Sequence, residues 1–301
     1  MDDTVMTTET TTPRVLIIAG SDSGGGAGIQ ADIKTCAAYG VYSATAITAV
    51  TAQNTVGVQE VHKLPAEMVA AQITSVMDDI GADVIKIGML GSQEIIETVA
   101  KAVDDVDAFV VLDPVMVATS GDPLMDEGAI EALKTKLIPV CDLITPNIPE
   151  AELLTGLKID DTDDMTKAGE ALLAMGAYAA LMKGGHLDSK MIFDVLVSED
   201  GNNLMSGPRL HSRHTHGTGC TLASAVAAGM ASGTPLDEAV LSARDFVYEA
   251  IRTAPGIGEG HGPLNHGLLL KGEDEETSEA PKEPTSKNPF ANLKDMMTPK
   301  S

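Results

Sequence analysis

Between residues 13 and 270, short runs of Val, Ile, Leu and Ala alternate with stretches in which apolar residues recur every three or four positions. The short runs lie at 15–19, 44–50, 84–88, 109–113, 143–145, 180–183 and 193–197. They lack strict polar alternation, so they predict strands buried on both faces. The three-and-four spacing predicts helices over 28–39, 66–80, 92–103, 128–137, 149–154, 164–175, 218–231 and 235–252. Strands and helices in alternation predict an α/β fold, a doubly wound, mostly parallel sheet with helices on both faces. No repeat of solenoid period is present.

In such a sheet, ligands bind beyond the carboxyl ends of the strands. The residues that follow the predicted strands are rich in chemistry. They are the glycine-rich run 20–28, then Thr51 to Asn54, Met89, Asp113, the segment 146–150, and Lys183 with Gly184, Gly185 and His186. Each alone is compatible with turn chemistry; together they outline one cleft edge.

The strongest local signal is the run His214-Thr215-His216-Gly217-Thr218-Gly219-Cys220-Thr221 at the start of a predicted helix. Two glycines there let several backbone N–H groups converge, and the helix dipole adds roughly half a positive charge. Gly217, Thr218 and Gly219 can therefore hold a transferring phosphoryl group without a basic side chain; a tight packing turn would use the same residues. Cys220 sits in the first helical turn, where the dipole is expected to lower a thiol pKa and favour the thiolate as a base. A buried, inert cysteine is the alternative.

Asn147 and Glu150 lie three apart at another helix entry, which puts them on one face. With Asp113 they can organise a hydrated Mg²⁺, or they can close a capping box on their own helix. Lys183 ends an apolar strand and can reach a nucleotide phosphate or extend to water. Gln53 and Asn54 offer amides that match an aminopyrimidine edge or cap a turn. The glycine-rich run fits neither G-x-G-x-x-G nor a Walker loop. That argues against an NAD-dependent dehydrogenase and against a P-loop kinase. His186, His214, His216, His261 and His266 form no zinc spacing, and none is expected to ligate a metal.

Composition narrows the partners. Net charge is −24, of which residues 1–12 carry −3 and residues 271–301 carry −2, so most of it belongs to the 13–270 span. An acidic surface of that kind repels nucleic acid and anionic membranes. Trp is absent and aromatics are 3%, so the core must be aliphatic. Cys36, Cys141 and Cys220 are isolated, as in a reducing, cytoplasmic setting. The longest nearly apolar run, 171–182, is too short for a bilayer and holds Gly176. Residues 1–12, acidic and Thr-rich, read as a flexible leader rather than a secretory signal, and polar residues 271–301 read as a disordered tail.

Eight segments together resemble one family. They are AGSDSGGGAGIQAD (19–32), TAQN (51–54), KIGML (86–90), DPVMVATSGDPL (113–124), TPNIPEAELL (145–154), LMKGGH (181–186), HGTGCT (216–221) and GHGPLNH (260–266). In this order they are similar to the hydroxymethylpyrimidine/phosphomethylpyrimidine kinases of thiamine biosynthesis, within the ribokinase-like superfamily. The familiar form of the glycine segment reads Asp-Pro-Ser-Gly-Gly, where this chain has Asp22-Ser23-Gly24-Gly25-Gly26. The resemblance implies ATP-dependent phosphorylation of a hydroxymethylpyrimidine and then of its monophosphate, with Mg²⁺, in a homodimer. It implies that Gln53 binds the pyrimidine nitrogens, that Met89 and Val115 pack on the ring, and that Gly20 and Asp32 lie near it. It further implies that Cys220 is the base, that Gly217 to Gly219 form the anion hole, and that Lys183, Asp113, Asn147 and Glu150 lie on the nucleotide and metal side. A pyridoxine or pyridoxal kinase, and a non-catalytic pyrimidine sensor on the same fold, are the rival readings.

Overall fold

The computed structural model describes residues 11–116, 125 and 127–270. The expected tail over 271–301, most of the expected leader over 1–12, and the 117–124 part of the DPVMVATSGDPL segment lie outside the described residues.

The first strand, β1 (Arg14–Asp22), leads through the glycine run into helix α1 (Gly28–Ala38). The chain continues with β2 (Tyr42–Asn54), β3 (Gly57–Lys63), α2 (Ala66–Met77), β4 (Val84–Ile87), α3 (Gln93–Val103) and β5 (Phe109–Leu112). Then come α4 (Glu127–Ala132), β6 (Leu143–Ile144), α5 (Ile148–Thr155), α6 (Thr162–Ala174), β7 (Ala179–Lys183), β8 (Met191–Ser198) and β9 (Gly201–Pro208). Helices α7 (Thr218–Ala231) and α8 (Leu236–Arg252) follow. The strands make one nine-stranded sheet in the order β3-β2-β1-β4-β5-β6-β7-β8-β9. Its centre, from β2 to β7, is parallel, and both edges are antiparallel.

Side chains alternate across the sheet, as strand geometry requires. Leu16 and Ile18 of β1 face one core with α2 to α6, while Val15, Ile17 and Ala19 face the other with α1, α7 and α8. Nearly every side chain of the central strands is therefore buried, which is why they read as continuous apolar runs.

The fold is the one the pattern predicts, with three differences. Strands β3 and β9 were not expected: their residues are mostly solvent-exposed, and polar residues interrupt both. Thr51 to Asn54, expected just beyond a strand, lie inside β2, which runs on to pair with β3. Residues 133–137 close the α4 segment as a π-helical turn rather than continuing as α-helix.

Two helix starts matter for the site. Asn147 caps α5, accepting from the Glu150 amide at 2.9 Å while Glu150 Oε2 accepts from the Asn147 amide at 2.8 Å. Helix α7 has no side-chain cap: its N-cap is Gly217, at φ 81°. That left-handed conformation suits glycine, and a Cβ there would also collide with the Gly26 carbonyl oxygen. The glycine run and the start of α7 thus touch backbone to backbone.

Candidate active site

The carboxyl ends of β1, β2, β4, β5 and β7 and the first turn of α7 surround an open cavity of about 190 Å³. Gly20, Gln53, Met89, Asp113, Val115, Asn147, Glu150, Lys183, Gly217, Thr218, Gly219 and Cys220 all line it. These are residues singled out from the sequence, drawn together from across the chain.

Asp32 is the exception. It is fully buried, bonds to Lys86 at 2.9 and 3.0 Å and to Ser224 at 2.7 Å, and does not reach the cavity wall. Asp32 therefore does not meet the cavity directly as expected; its partner Lys86 does line it. Asn54 also takes the turn role, its Oδ1 accepting from the Val56 and Gly57 amides.

On one wall, the first turn of α7 presents its amides. In an α-helix these have no partner within the helix. Thr218 N–H turns back to the Thr215 carbonyl, which leaves the Gly219 and Cys220 positions to face an anion. Lys183 lies beside them: its Nζ is 3.3 Å from where a Gly219 Cβ would stand. Lys183 donates to Asp113 Oδ1 at 2.8 Å and stands 4.0 Å from Glu150 Oε2. Burial works against its charge, but Asp113 and then Glu150 overcome this and hold its pKa above the ordinary lysine range. Burial dominates for Glu150, whose pKa is pushed up to about 7 although Lys183 pulls the other way.

The capping and metal readings of Asn147 and Glu150 are not exclusive. The capping box is formed, and both side chains line the cavity. It leaves limited room for cation ligation. Among the described residues no three His, Cys, Asp or Glu side chains group as a metal site. Asp113 gives one oxygen to Lys183 and Thr145, and Glu150 accepts from the Asn147 and Met116 amides. Two partly committed carboxylates fit a hydrated Mg²⁺ that keeps several waters, and they do not fit an all-protein cage.

Cys220 is half-buried at the cavity base. The expectation of a lowered thiol pKa does not hold: burial pushes it up to about 12, against the pull of Lys86 and the Gly28 amide. At this thiol, desolvation outweighs the helix-terminus effect.

The opposite wall carries a network that sequence reasoning missed. Asp22 accepts from the Gly24 amide at 2.8 Å, the Gly26 amide at 3.0 Å and the Ala27 amide at 2.8 Å. His216 Nε2 lies 2.9 Å from Asp22 Oδ2. Burial acts to raise the Asp22 pKa, but His216 and the loop amides together hold it below the ordinary range. Facing a carboxylate, His216 Nε2 carries a proton. Gln53 Nε2 lies 3.3 Å from the same nitrogen. Gln53 Oε1 accepts from Thr51 Oγ1 at 3.1 Å, a hydroxyl that also reaches the Ser21 carbonyl at 3.0 Å. Gln53 is left with an N–H and a lone pair, a donor–acceptor edge for a heteroaromatic ring. Met89, Val58 and Val61 supply apolar surface around it. The sequence signal for Asp22 and His216 was their place inside two glycine segments, where they read as loop residues.

Known proteins resemble the chain over nearly all of the described region. The profile of the family described as phosphomethylpyrimidine kinase matches residues 22–265. A hydroxymethylpyrimidine/phosphomethylpyrimidine kinase of Streptomyces coelicolor is 49% identical over 267 residues, 89% of this chain and 99% of that protein. The crystal structure of a phosphomethylpyrimidine kinase from Clostridium difficile superposes with a TM-score of 0.72 at 42% identity, covering 80% of this chain and 100% of that one. An ADP complex of Bacillus subtilis pyridoxal kinase gives a TM-score of 0.81 at 34% identity, covering 86% of this chain and 99% of that one.

Proposed function

The chain belongs to the phosphomethylpyrimidine kinase family, and from that premise we propose that one cleft carries out two phosphorylations by one set of groups. The protein is an ATP-dependent kinase of thiamine biosynthesis. In the first step it phosphorylates the CH₂OH group of 4-amino-5-hydroxymethyl-2-methylpyrimidine; in the second it extends the monophosphate to the diphosphate.

The supporting observation is the pairing of two walls. Gln53, Met89 and Val115 offer a ring pocket, and the Gly219 and Cys220 amides, Lys183 and the Cys220 thiol face it, the Thr218 amide being turned to Thr215. Phosphoryl transfer demands mainly positioning and charge stabilisation. The α7 amides and Lys183 hold the transferring group and the charge that builds on it. Cys220 acts through its thiolate form, the minor form of a thiol that burial pushes up to about 12: that thiolate takes the proton of the acceptor hydroxyl. The O–H bond breaks and an S–H bond forms. The oxygen's electron pair makes the new O–P bond while the P–O bond to ADP breaks, its pair leaving on ADP. Asp113, Glu150 and Asn147 would hold hydrated Mg²⁺, which supplies charge neutralisation of the nucleotide phosphates.

The proposal includes a cytoplasmic location and a homodimer. Edge strand β3 and the turn before it, with Val56 71% and Val61 38% exposed, offer a face for a second copy; light scattering tests that state. Ring recognition through a donor–acceptor edge also suits a pyridinyl alcohol, and the TM-score of 0.81 to a pyridoxal kinase favours a weaker second activity on pyridoxal. One coupled assay settles the matter: ADP release with the pyrimidine alcohol, its monophosphate and pyridoxal, with products separated. Formation of both mono- and diphosphate supports the reading. Ligand binding without ADP release would point to a sensor instead.

A further inference from the structure

Lys86 lies in the middle of β4, a four-residue strand otherwise made of Val84, Ile85 and Ile87. It is 0% exposed, as is its partner Asp32 on α1. Its ammonium donates to both Asp32 oxygens at 2.9 and 3.0 Å, and Ser224 of α7 donates to Asp32 at 2.7 Å. A buried ion pair is a weak source of stability, because desolvating two charges offsets their attraction. An apolar side chain would continue this strand with no such cost.

The location of the cation suggests a use. Lys86 lines the same cavity as Cys220, and Ser224, which binds its partner Asp32, lies one helical turn after Cys220 on the same face of α7; Gly88 leaves Lys86 room, since a Cβ there would stand 3.0 Å from Nζ. Of an ammonium's three protons, Asp32 takes two, which leaves one for the cavity side. We infer that Lys86 is a positioning residue for the transfer: anchored by Asp32 and Ser224, its ammonium stabilises the thiolate of Cys220. The inference rests on the reading of Cys220 as the base.

The other groups around the sulfur act in both directions. Asp32 from α1 and Asp113 just past β5 oppose the thiolate, while Lys86 from β4 and the Gly28 amide favour it, Lys86 the more strongly. Lys183 from β7 and Cys36 from α1 share the same field, and Glu150 from α5 stands behind Lys183. With burial raising the thiol, the thiolate needs a fixed cation that no solvent ion can replace.

The test compares two variants that break the same pair. Alkylation of Cys220 by iodoacetamide is followed by peptide mass spectrometry across pH in Lys86→Met and in Asp32→Asn. A purely structural pair predicts the same change in both. The electrostatic role predicts at least tenfold slower alkylation at neutral pH in Lys86→Met, and no slowing in Asp32→Asn. Wild-type rates in Lys86→Met, or equal slowing in both, would overturn the inference. If circular dichroism shows Lys86→Met unfolded, Lys86→Gln takes its place with the same two outcomes: at least tenfold slower alkylation supports the role and a wild-type rate overturns it. Failure of the Cys220 reading appears separately, as turnover retained in Cys220→Ala, and leaves the alkylation outcome readable.

Discussion

His216 and Asp22 are 194 residues apart in sequence and 2.9 Å apart in space, and their contact ties the glycine run after β1 to the segment that opens α7. One carboxylate thereby orders three loop amides and the imidazole that faces Gln53. Replacing Asp22 by Asn removes the charge and should cost about 1–3 kcal/mol, because buried donors lose their acceptor. The Asp22 pKa is lowered in the fold, so its contribution is present above the unfolded value of about 3.9 and disappears as pH falls through the folded value. Thermal unfolding of wild type and D22N should differ fully above pH 5 and converge at strongly acid pH. A gap that persists in acid would show that the charge is not the source.

Glu150 carries the opposite sign. Its folded pKa of about 7 lies above the unfolded value of about 4.3, so ionising it in the fold costs stability. The cost is absent below pH 4 and complete above pH 7. In metal-free protein, Glu150→Gln keeps an oxygen for the Asn147 amide. It should match wild type in acid and exceed it by about 1–3 kcal/mol at pH 8. Urea titrations at the two pH values check this.

Cys220→Ala should retain ADP binding, measured by calorimetry, and lose roughly 10²–10⁴-fold in kcat, the usual worth of a positioned base. Near-normal turnover would remove the thiol from the chemistry.

Gly217 and Gly219 separate folding from catalysis. Gly217→Ala places a side chain at φ 81° against the Gly26 carbonyl, so it should lose at least about 1–2 kcal/mol and most activity. At Gly219, in the first turn of α7, a methyl meets no backbone. It would stand 3.3 Å from Lys183 Nζ and 3.4 Å from Asp113 Oδ2. Gly219→Ala should keep its melting temperature and lose at least about tenfold in kcat, by crowding the phosphate position. Equal losses of stability in the two variants would contradict the assignment.

Much of this was legible in the chain. The central strands were readable because burial on both faces makes them continuous apolar runs, and the cleft because strand ends carry the chemistry in such sheets. Strands β3 and β9 were not, since exposed edges can be polar and owe their order to a neighbouring strand. Asn147 and Glu150 posed a false choice: the cap that orders α5 is also what aims the pair at the cavity. Local spacing located Cys220 but misjudged its pKa, because desolvation depends on the tertiary packing around the thiol. Lys86 left a trace, a lysine amid Val and Ile, but its meaning lay in Asp32, which arrives from helix α1.

The backbone contact between Gly217 and Gly26 bears on chimeras. Neither loop can be transplanted into a relative by itself if the recipient carries a Cβ at the meeting point, so the two segments form one exchangeable cassette. Swaps that move both together should yield working hybrids, and swaps that move one should require a compensating glycine.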